Sequence, residues 1–230
     1  LGRLAGGVAH ELNNALQPIR LFSELLRDDE ELQGERCRRY VREIVESTRF
    51  TEDVVSGILA FGRQDPTADR EHDALAILGE AVCFCAGHLP SSVSIRQTGF
   101  DPSGPLARLR IRVNRTALCQ VLTNVFLNAA EASGGKGEIA VALSAAAPES
   151  PSELTISITD TGRGIDPITM KRIFETFFTT KSPGRGTGLG LSMCSGIVER
   201  WGGCIEAQSV PGKGTSFHIF IPVVGDPGEG

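Results

Sequence analysis

A histidine beside a carboxylate stands near the start of the sequence, within a stretch of helical spacing. His10 falls between the apolar positions Val8 and Leu12, so we expect its side chain to point away from the apolar seam. Glu11 adjoins it, and Asn14 lies one turn further on the same face. An exposed imidazole beside a carboxylate can act as a nucleophile whose tautomer the carboxylate sets. The same residues also fit an ordinary solvated histidine.

Two asparagines, Asn124 and Asn128, are spaced by four residues in a segment whose other positions are largely apolar. On a helix this spacing projects both side chains from one side. Amide oxygens there can ligate a hard cation, while the amides also hydrogen-bond a nucleotide. A pair of solvated or capping amides would give the same pattern.

Asp160, Gly162 and Gly164 follow directly after an alternating apolar stretch that is typical of a strand. A carboxylate at a strand end can recognise the exocyclic amine of a base, and the glycines allow close approach of the backbone. By itself, this short motif is also compatible with a simple turn.

Four alternate glycines precede a predicted helix, a pattern that favours an amide-rich loop able to wrap phosphates. They are Gly184, Gly186, Gly188 and Gly190. Lys181 and Arg185 add positive charge at the same place. The spacing matches neither a Walker A loop nor the dinucleotide fingerprint, and a flexible structural loop is the alternative.

The elements that would position these residues differ between the two parts of the chain. Residues 1–64 show two apolar stripes of helical spacing around a charged break, which predicts a helical hairpin. One hairpin leaves an apolar face uncovered, so we expect two copies to form a four-helix bundle. Residues 65–73 are polar and are interpreted as a linker, and residues 226–230 as a tail.

Residues 74–225 alternate strand-like and helix-like segments, which predicts an α/β sandwich with a mixed sheet. The fold class is therefore α+β. The predicted helices are 75–89, 115–132 (capped by Asn114), 168–174 and 191–201. The predicted strands are 93–97, 109–113, 138–144, 154–160, 204–209 and 215–221.

Composition excludes several classes of protein. The net charge of −5 argues against an electrostatic nucleic-acid binder, and no run approaches the ~18 apolar residues of a membrane span. The six cysteines form no CxxC pair and are expected to be buried free thiols in the cytosol. Because the chain begins at Leu1, we expect it to be a fragment, and the longer protein could be membrane-anchored.

Taken in order, the motifs resemble those of the sensor histidine kinases of two-component signalling, in particular the nitrogen-regulation and hybrid-kinase branches. The matching segments are His10-Glu11-x-x-Asn14 (H box), 124–128 (N box), Asp160 with Gly162 and Gly164 (G1 box), 174–178 (F box), 184–190 (G2 box) and 212–217 (last glycine motif). Asn114, often Asp in the family, and Trp201, often His or aliphatic, depart from the pattern at positions without chemistry.

The resemblance implies binding of ATP and Mg²⁺ in a gyrase-like (Bergerat) domain. Asp160 would accept from the adenine amine, with Thr215 and a water nearby and Ile165 among the apolar walls. Asn128 would ligate Mg²⁺, and Asn124 would assist at the phosphates. The triphosphate would lie beneath a lid that includes Lys181, Arg185, Gly186, Thr187, Gly188, Leu189 and Gly190.

The resemblance to sensor histidine kinases also implies that a phosphoryl group is passed from ATP through the chain to a partner. His10 would attack the γ-phosphorus while Glu11 holds or takes the proton of the other ring nitrogen. The group would pass to an aspartate on a response-regulator receiver domain, and Asn14 would orient a water for its later removal. The family further implies a homodimer through the hairpin, with no nucleic acid or membrane contact by this fragment.

Two other classes share parts of this pattern. Gyrase-, chaperone- and mismatch-repair-like ATPases have the same nucleotide fold, but they place a water-activating Glu four residues before the metal-binding Asn. Asn124 occupies that position and cannot act as a base, and the hairpin with His10 has no place in those enzymes. A scaffold without turnover is the second alternative, and the sequence does not exclude it.

Overall fold

The computed structural model describes residues 16–26, 34–41, 43–45, 47–48, 51, 69–87, 89–145, 152–181 and 188–224. The chain divides into two compact units. The first consists of Leu1–Gln64 with Glu175–Met193, and the second of Asp65–Phe174 with Cys194–Gly230. None of the helices within the described ranges is long and apolar enough to cross a membrane.

The first unit contains two helical segments of the predicted hairpin. The first is described at residues 16–26, and the second, beyond the predicted turn, at residues 35–41, 43–45, 47–48 and 51. The rings of Phe22 and Tyr40 join the two segments, with centroids 5.3 Å apart. Tyr40 is buried, but several apolar side chains of both segments are exposed in the single chain. They are Leu16, Leu21, Leu25, Val41 and Val45.

The second unit is built around a sheet of seven strands. These are β1 (Arg70–Asp73), β2 (Val93–Thr98), β3 (Arg110–Val113), β4 (Gly137–Ala145), β5 (Glu153–Thr159), β6 (Cys204–Val210) and β7 (Gly214–Val224). The helices are α1 (Ala74–Ala86), α2 (Arg115–Ala132), α3 (Pro167–Met170) and α4 (Gly190–Arg200), of which α4 begins in the first unit.

The strands follow the order β1-β3-β7-β5-β4-β2, and β6 pairs with β7 outside this path. The pair of β2 and β4 is parallel and the remaining pairs are antiparallel. This arrangement confirms the prediction of an α+β chain in which helices precede a mixed sheet.

The core lies between one face of the sheet and helices α1 and α2. On β5, alternate residues from Leu154 to Ile158 are buried, whereas those between them are half-buried. On α2, Leu118, Leu122 and Phe126 are fully buried. Burying each such side chain contributes about 1.5–3 kcal/mol, so this layer fixes the strand ends that carry the candidate site.

The interpretation of residues 65–73 as a linker is wrong for its last part. Residues 70–73 form β1, which pairs antiparallel with β3, with Glu71 opposite Arg112. This edge strand carries no apolar alternation, because three of its four side chains are exposed and are polar or charged. Its stability comes from the ladder hydrogen bonds, which leave no signal in the sequence.

Two smaller expectations also need correction. Helix α1 ends at Ala86 rather than at residue 89, because Gly87 caps it and Pro90 disfavours helical backbone at the residue before it. All six cysteines are free, as expected, but only Cys85 and Cys194 are buried, whereas Cys83 and Cys204 are exposed. A thiol can lie on the outer surface of a helix or on an edge strand, in contact with solvent, as well as in the core.

Candidate functional site

Asp160 lies immediately after β5, where the structure holds its carboxylate from two directions. Its Oδ1 accepts hydrogen bonds from the Gly162 N–H over 2.7 Å and from the Thr215 N–H over 3.3 Å. The residue is 2% exposed. Both of these hydrogen bonds go to Oδ1, so Oδ2 can accept a hydrogen bond from a ligand.

Burial determines the electrostatics of this carboxylate. It raises the pKa of Asp160 above the ordinary aspartate value, while the hydrogen bonds from the Gly162 and Thr215 amides lower it. Burial is the larger effect because it removes the charge from water. A donor that reaches Oδ2 would favour the ionised form, so ligand binding and ionisation support each other.

The glycines predicted for this loop occupy places without room for a side chain. A Cβ on Gly162 would lie 2.4 Å from the carbonyl carbon of Ala132, at the end of α2. Gly164 has a φ of +68°, and a Cβ there would lie 2.3 Å from the carbonyl oxygen of Val210. The loop after Asp160 is therefore clamped between α2 and the turn that joins β6 to β7.

Asn124 and Asn128 project from α2 as predicted, one turn apart, and both are half-buried. The Asn124 Nδ2 atom is buried and has no hydrogen-bond partner of suitable geometry among the described residues. The thiol of Cys194 is a polar neighbour of this amide, and burial raises the pKa of that thiol to about 12. A buried amide without a partner costs free energy, and a ligand acceptor would remove that cost.

Asn114 caps α2 as predicted, accepting from the Ala117 N–H.

Thr215 and Ile165 are brought together by a serine that no motif identifies. The Ser209 hydroxyl on β6 accepts from the Ile165 N–H over 2.8 Å and lies 3.0 Å from Thr215 Oγ1. A single serine in a strand has no distinctive pattern, although it stands just before the last glycine motif. Only the register of β6 with β7, in which Ser209 is opposite Thr215, shows the connection.

The predicted lid residues fall in the first compact unit, where part of the chain is described. Phe177 has an unusual φ of 67°, and its N–H donates to the Gly188 carbonyl over 2.9 Å. Gly188 leaves no space for a Cβ, which would lie 2.4 Å from the Phe177 carbonyl carbon. The F and G2 motifs therefore contact each other. That Lys181, Leu189 and Gly190 close over a nucleotide remains a prediction.

Several predicted site residues lie outside the described ranges. They are His10, Glu11 and Asn14 of the H box and Arg185, Gly186 and Thr187 of the lid. The described part of the chain contains no group of three His, Cys, Asp or Glu side chains that could hold a metal ion. That Asn128 holds Mg²⁺ remains a prediction.

Two family models match the chain in succession. Residues 1–67 match the "His Kinase A (phospho-acceptor) domain". Residues 113–225 match the family described as "Histidine kinase-, DNA gyrase B-, and HSP90-like ATPase". The second match contains every nucleotide-site residue discussed above, and the first contains His10.

Curated relatives cover almost the entire chain. The sensor histidine kinase ZraS of Escherichia coli K12 is 34% identical over 97% of this chain and 46% of its own length. The sensor kinase CckA of Brucella abortus is 32% identical over 96% of this chain and 24% of its own length. The chain thus spans about half, or less, of the length of these relatives.

The chain is similar to a solved structure of histidine kinase ThkA in complex with the response regulator protein TrrA. The two superpose with a TM-score of 0.71 at 25% sequence identity, and the match covers 97% of this chain and 62% of that one. Full-length ShkA in complex with AMPPNP superposes with a TM-score of 0.64 at 22% identity, covering 98% and 46%, and supports the fold alone. From the paired family models and these relatives, the chain belongs to the sensor histidine kinases of two-component signalling, whose catalytic core it carries.

Proposed function

We propose that the chain transfers the γ-phosphoryl group of ATP to His10 and then to an aspartate of a response-regulator receiver domain. The observation that carries this proposal is the open acceptor Oδ2 of the buried Asp160, which the Gly162 and Thr215 amides hold in place. A carboxylate oxygen in that position can accept a hydrogen bond from the amine of adenine. The match of residues 1–67 to a phospho-acceptor domain supplies the second half of the reaction.

The nucleotide would bind along the edge formed by the loop after β5 and by α2. Asp160 and Thr215 would recognise the base, with Ile165 against one face of the ring. Asn124 would donate its unpartnered Nδ2 hydrogens to phosphate oxygens. We expect the lid, including Lys181 and Arg185, to add positive charge and backbone amides at the β- and γ-phosphates.

Asn128 would hold Mg²⁺, which supplies charge neutralisation at the phosphates when it is bound. For the chemical step, a ring nitrogen of His10 donates its electron pair to the γ-phosphorus. The bond from that phosphorus to the bridging oxygen breaks, and ADP leaves with the electron pair. Glu11 takes the proton from the other ring nitrogen, so that the phosphohistidine is neutral at the ring.

The partner in the second step is a receiver domain. The related kinase ThkA has been solved with a response regulator protein, which supports this choice of partner. We further propose that Asn14 orients a water for dephosphorylation of the regulator. We further propose that residues 1–64 form the phosphotransfer hairpin and that the ATP-binding domain begins with β1 at Arg70 and extends to residue 225.

Dimerisation is proposed from the surface of the hairpin. Leu16, Leu21 and Leu25 are between 39% and 52% exposed in the single chain, and Val41 and Val45 are similarly exposed. Side chains of this type on two adjacent helical segments would be covered in a four-helix bundle of two copies. The proposed dimer therefore accounts for apolar surface that the chain alone leaves in water.

The chemistry of the transferred phosphate tests this function. The chain is incubated with Mg²⁺ and γ-labelled ATP, and the labelled protein is then treated with alkali or acid. We expect label that resists alkali and is lost in acid, as a phosphoramidate is. Steady release of phosphate without labelled protein would support a gyrase-like ATPase instead. Bound nucleotide with neither label nor release would support a scaffold.

A further inference from the structure

The hydroxyl group of Ser209 makes three contacts, and their chemistry fixes the position of its single proton. The Gly214 carbonyl, 2.8 Å away, can only accept, so Ser209 donates to it. The Ile165 N–H, also 2.8 Å away, can only donate, so Ser209 accepts from it. The third contact is Thr215 Oγ1 at 3.0 Å. Because the Ser209 proton is already committed, Thr215 must be the donor in this pair.

The direction of this bond decides what Thr215 offers to a ligand. With its proton directed at Ser209, the buried Thr215 hydroxyl has only lone pairs left. Its own N–H is directed at Asp160 Oδ1. The open Asp160 Oδ2 and Thr215 Oγ1 are then both acceptors, at neighbouring positions after the end of β5 and on β7. Two neighbouring acceptors that face the group at position 6 can accept from both hydrogens of an exocyclic amine, whereas a carbonyl oxygen at that position would meet them with lone pairs only.

We propose that Ser209 is a positioning residue that orients the Thr215 hydroxyl as an acceptor and thereby makes the base site select a 6-amino purine over a 6-oxo purine. The inference rests on the nucleotide binding proposed above and deepens it. Ser209 acts through Thr215 and need not touch the nucleotide. Without Ser209, the Thr215 proton can turn toward the base and bond to a carbonyl oxygen at that position.

A matched control stands beside this pair in the same two strands. Ser216 follows Thr215 on β7 and is opposite Gln208, the residue before Ser209. Its hydroxyl bonds to Thr159 Oγ1 over 2.9 Å, and it is half-buried like Ser209. Because successive strand residues point to opposite faces, Ser216→Ala removes a similar hydroxyl bond without touching Thr215 Oγ1.

Affinities are compared for ADP and inosine diphosphate in the presence of Mg²⁺. The bases of these two nucleotides differ at position 6, which carries an amino or an oxo group, and at N1, which carries a proton only in inosine diphosphate. Titration calorimetry is performed on the parent chain and on Ser209→Ala, Thr215→Val, the double variant and Ser216→Ala. We expect the parent and Ser216→Ala to prefer ADP. The preference should fall about tenfold in Ser209→Ala and in Thr215→Val, with no further fall in the double variant.

Each outcome bears on the proposal. An unchanged ADP preference in Ser209→Ala, or an equal loss of affinity for both nucleotides, would overturn it, since a purely structural role weakens both alike. If circular dichroism shows Ser209→Ala to be unfolded, Thr215→Val decides: a retained preference overturns the proposal, and a lost preference supports it. A parent chain that binds neither nucleotide overturns the proposed function as well, and this result is separate from the others.

Discussion

Asp160 and Thr215 bind each other reciprocally where β5 ends and β7 begins. The Asp160 N–H donates to the Thr215 carbonyl over 2.9 Å, and the Thr215 N–H donates back to Asp160 Oδ1 over 3.3 Å. One oxygen of the carboxylate is thus occupied by the fold, and the other is left for a ligand. The two oxygens of Asp160 therefore have different functions, which can be separated by mutation.

Asp160→Asn should separate nucleotide affinity from stability. The amide oxygen can still accept from Gly162 and Thr215, but it can present an NH₂ group where the ligand donor needs an acceptor. We expect ADP affinity to fall roughly ten- to a hundredfold, the effect of about 1.5–3 kcal/mol for a hydrogen bond to a charged group. The free energy of unfolding at neutral pH should be unchanged or higher, because a buried charge is removed. Calorimetry and urea unfolding measure the two quantities. Parallel loss of both would contradict this separation.

The raised pKa of Asp160 predicts opposite pH effects on binding and on stability. Nucleotide affinity needs the carboxylate, so it should fall as pH is lowered through this raised pKa, at higher pH than for an exposed aspartate. The stabilising contribution of protonation has the reverse sign: it is fully present below the unfolded-state pKa and is lost as pH rises through the folded-state pKa. The pH dependence of nucleotide affinity is measured by titrating ADP binding across acid pH in the parent and in Asp160→Asn. Residue 160 does not titrate in the variant, so the variant shows how protonation of the nucleotide itself affects affinity. Identical pH profiles in parent and variant would rule the effect out.

Gly164 and Gly212 form a matched pair for the clamped loop. Their φ angles are +68° and +78°, but a Cβ would lie 2.3 Å from the Val210 carbonyl oxygen only at Gly164, while Gly212 has nothing within 4 Å. Alanine at either position costs about 1–2 kcal/mol for left-handed backbone. Gly164→Ala should cost about 1–3 kcal/mol more from overpacking, and should also weaken ADP binding. Urea denaturation measures the difference, and equal destabilisation of the two variants would show that the loop relaxes freely.

Asn14→Ala should spare autophosphorylation and slow dephosphorylation of the regulator. The amide is proposed to orient the attacking water, which contributes to hydrolysis of the aspartyl phosphate but not to attack by His10. Asn13→Ala is the control, since on the predicted helix adjacent side chains would point in different directions. Dephosphorylation is followed with purified phosphorylated receiver domain. If the Asn14→Ala and parent rates are equal, Asn14 does not have this role.

The parts of the fold that could be predicted from the sequence are those in which burial repeats with the period of the element. The alternation in Leu154–Ile158 marks a strand with one face in the core, and Asn114 before an apolar helix marks its cap. Strand β1 could not be found in this way. Its residues Arg70–Asp73 are polar because it is an edge strand, so that pairing with β3 stabilises it without an apolar pattern.

Among the candidate site residues, too, some could be predicted from the sequence and others could not. Asp160 and Gly164 could be identified from the sequence, because a carboxylate followed by glycines at fixed spacing is a recognisable motif even when the fold is unknown. Ser209 could not, since its importance depends on contacts with Ile165, Gly214 and Thr215 that only the pairing of β6 with β7 creates. The unpartnered Nδ2 of Asn124 is likewise visible only once α2 is packed.

The central claim is that one chain binds ATP through Asp160 and accepts its γ-phosphoryl group on His10, and labelling of two variants tests it most directly. His10→Ala and Asp160→Asn are incubated with Mg²⁺ and γ-labelled ATP beside the parent, and ADP binding is measured in parallel. We predict acid-labile label in the parent and none in His10→Ala, which still binds ADP with parental affinity. Asp160→Asn should lose both ADP affinity and label. Undiminished label in His10→Ala would contradict the account, because the phosphoryl group would then reside on another residue.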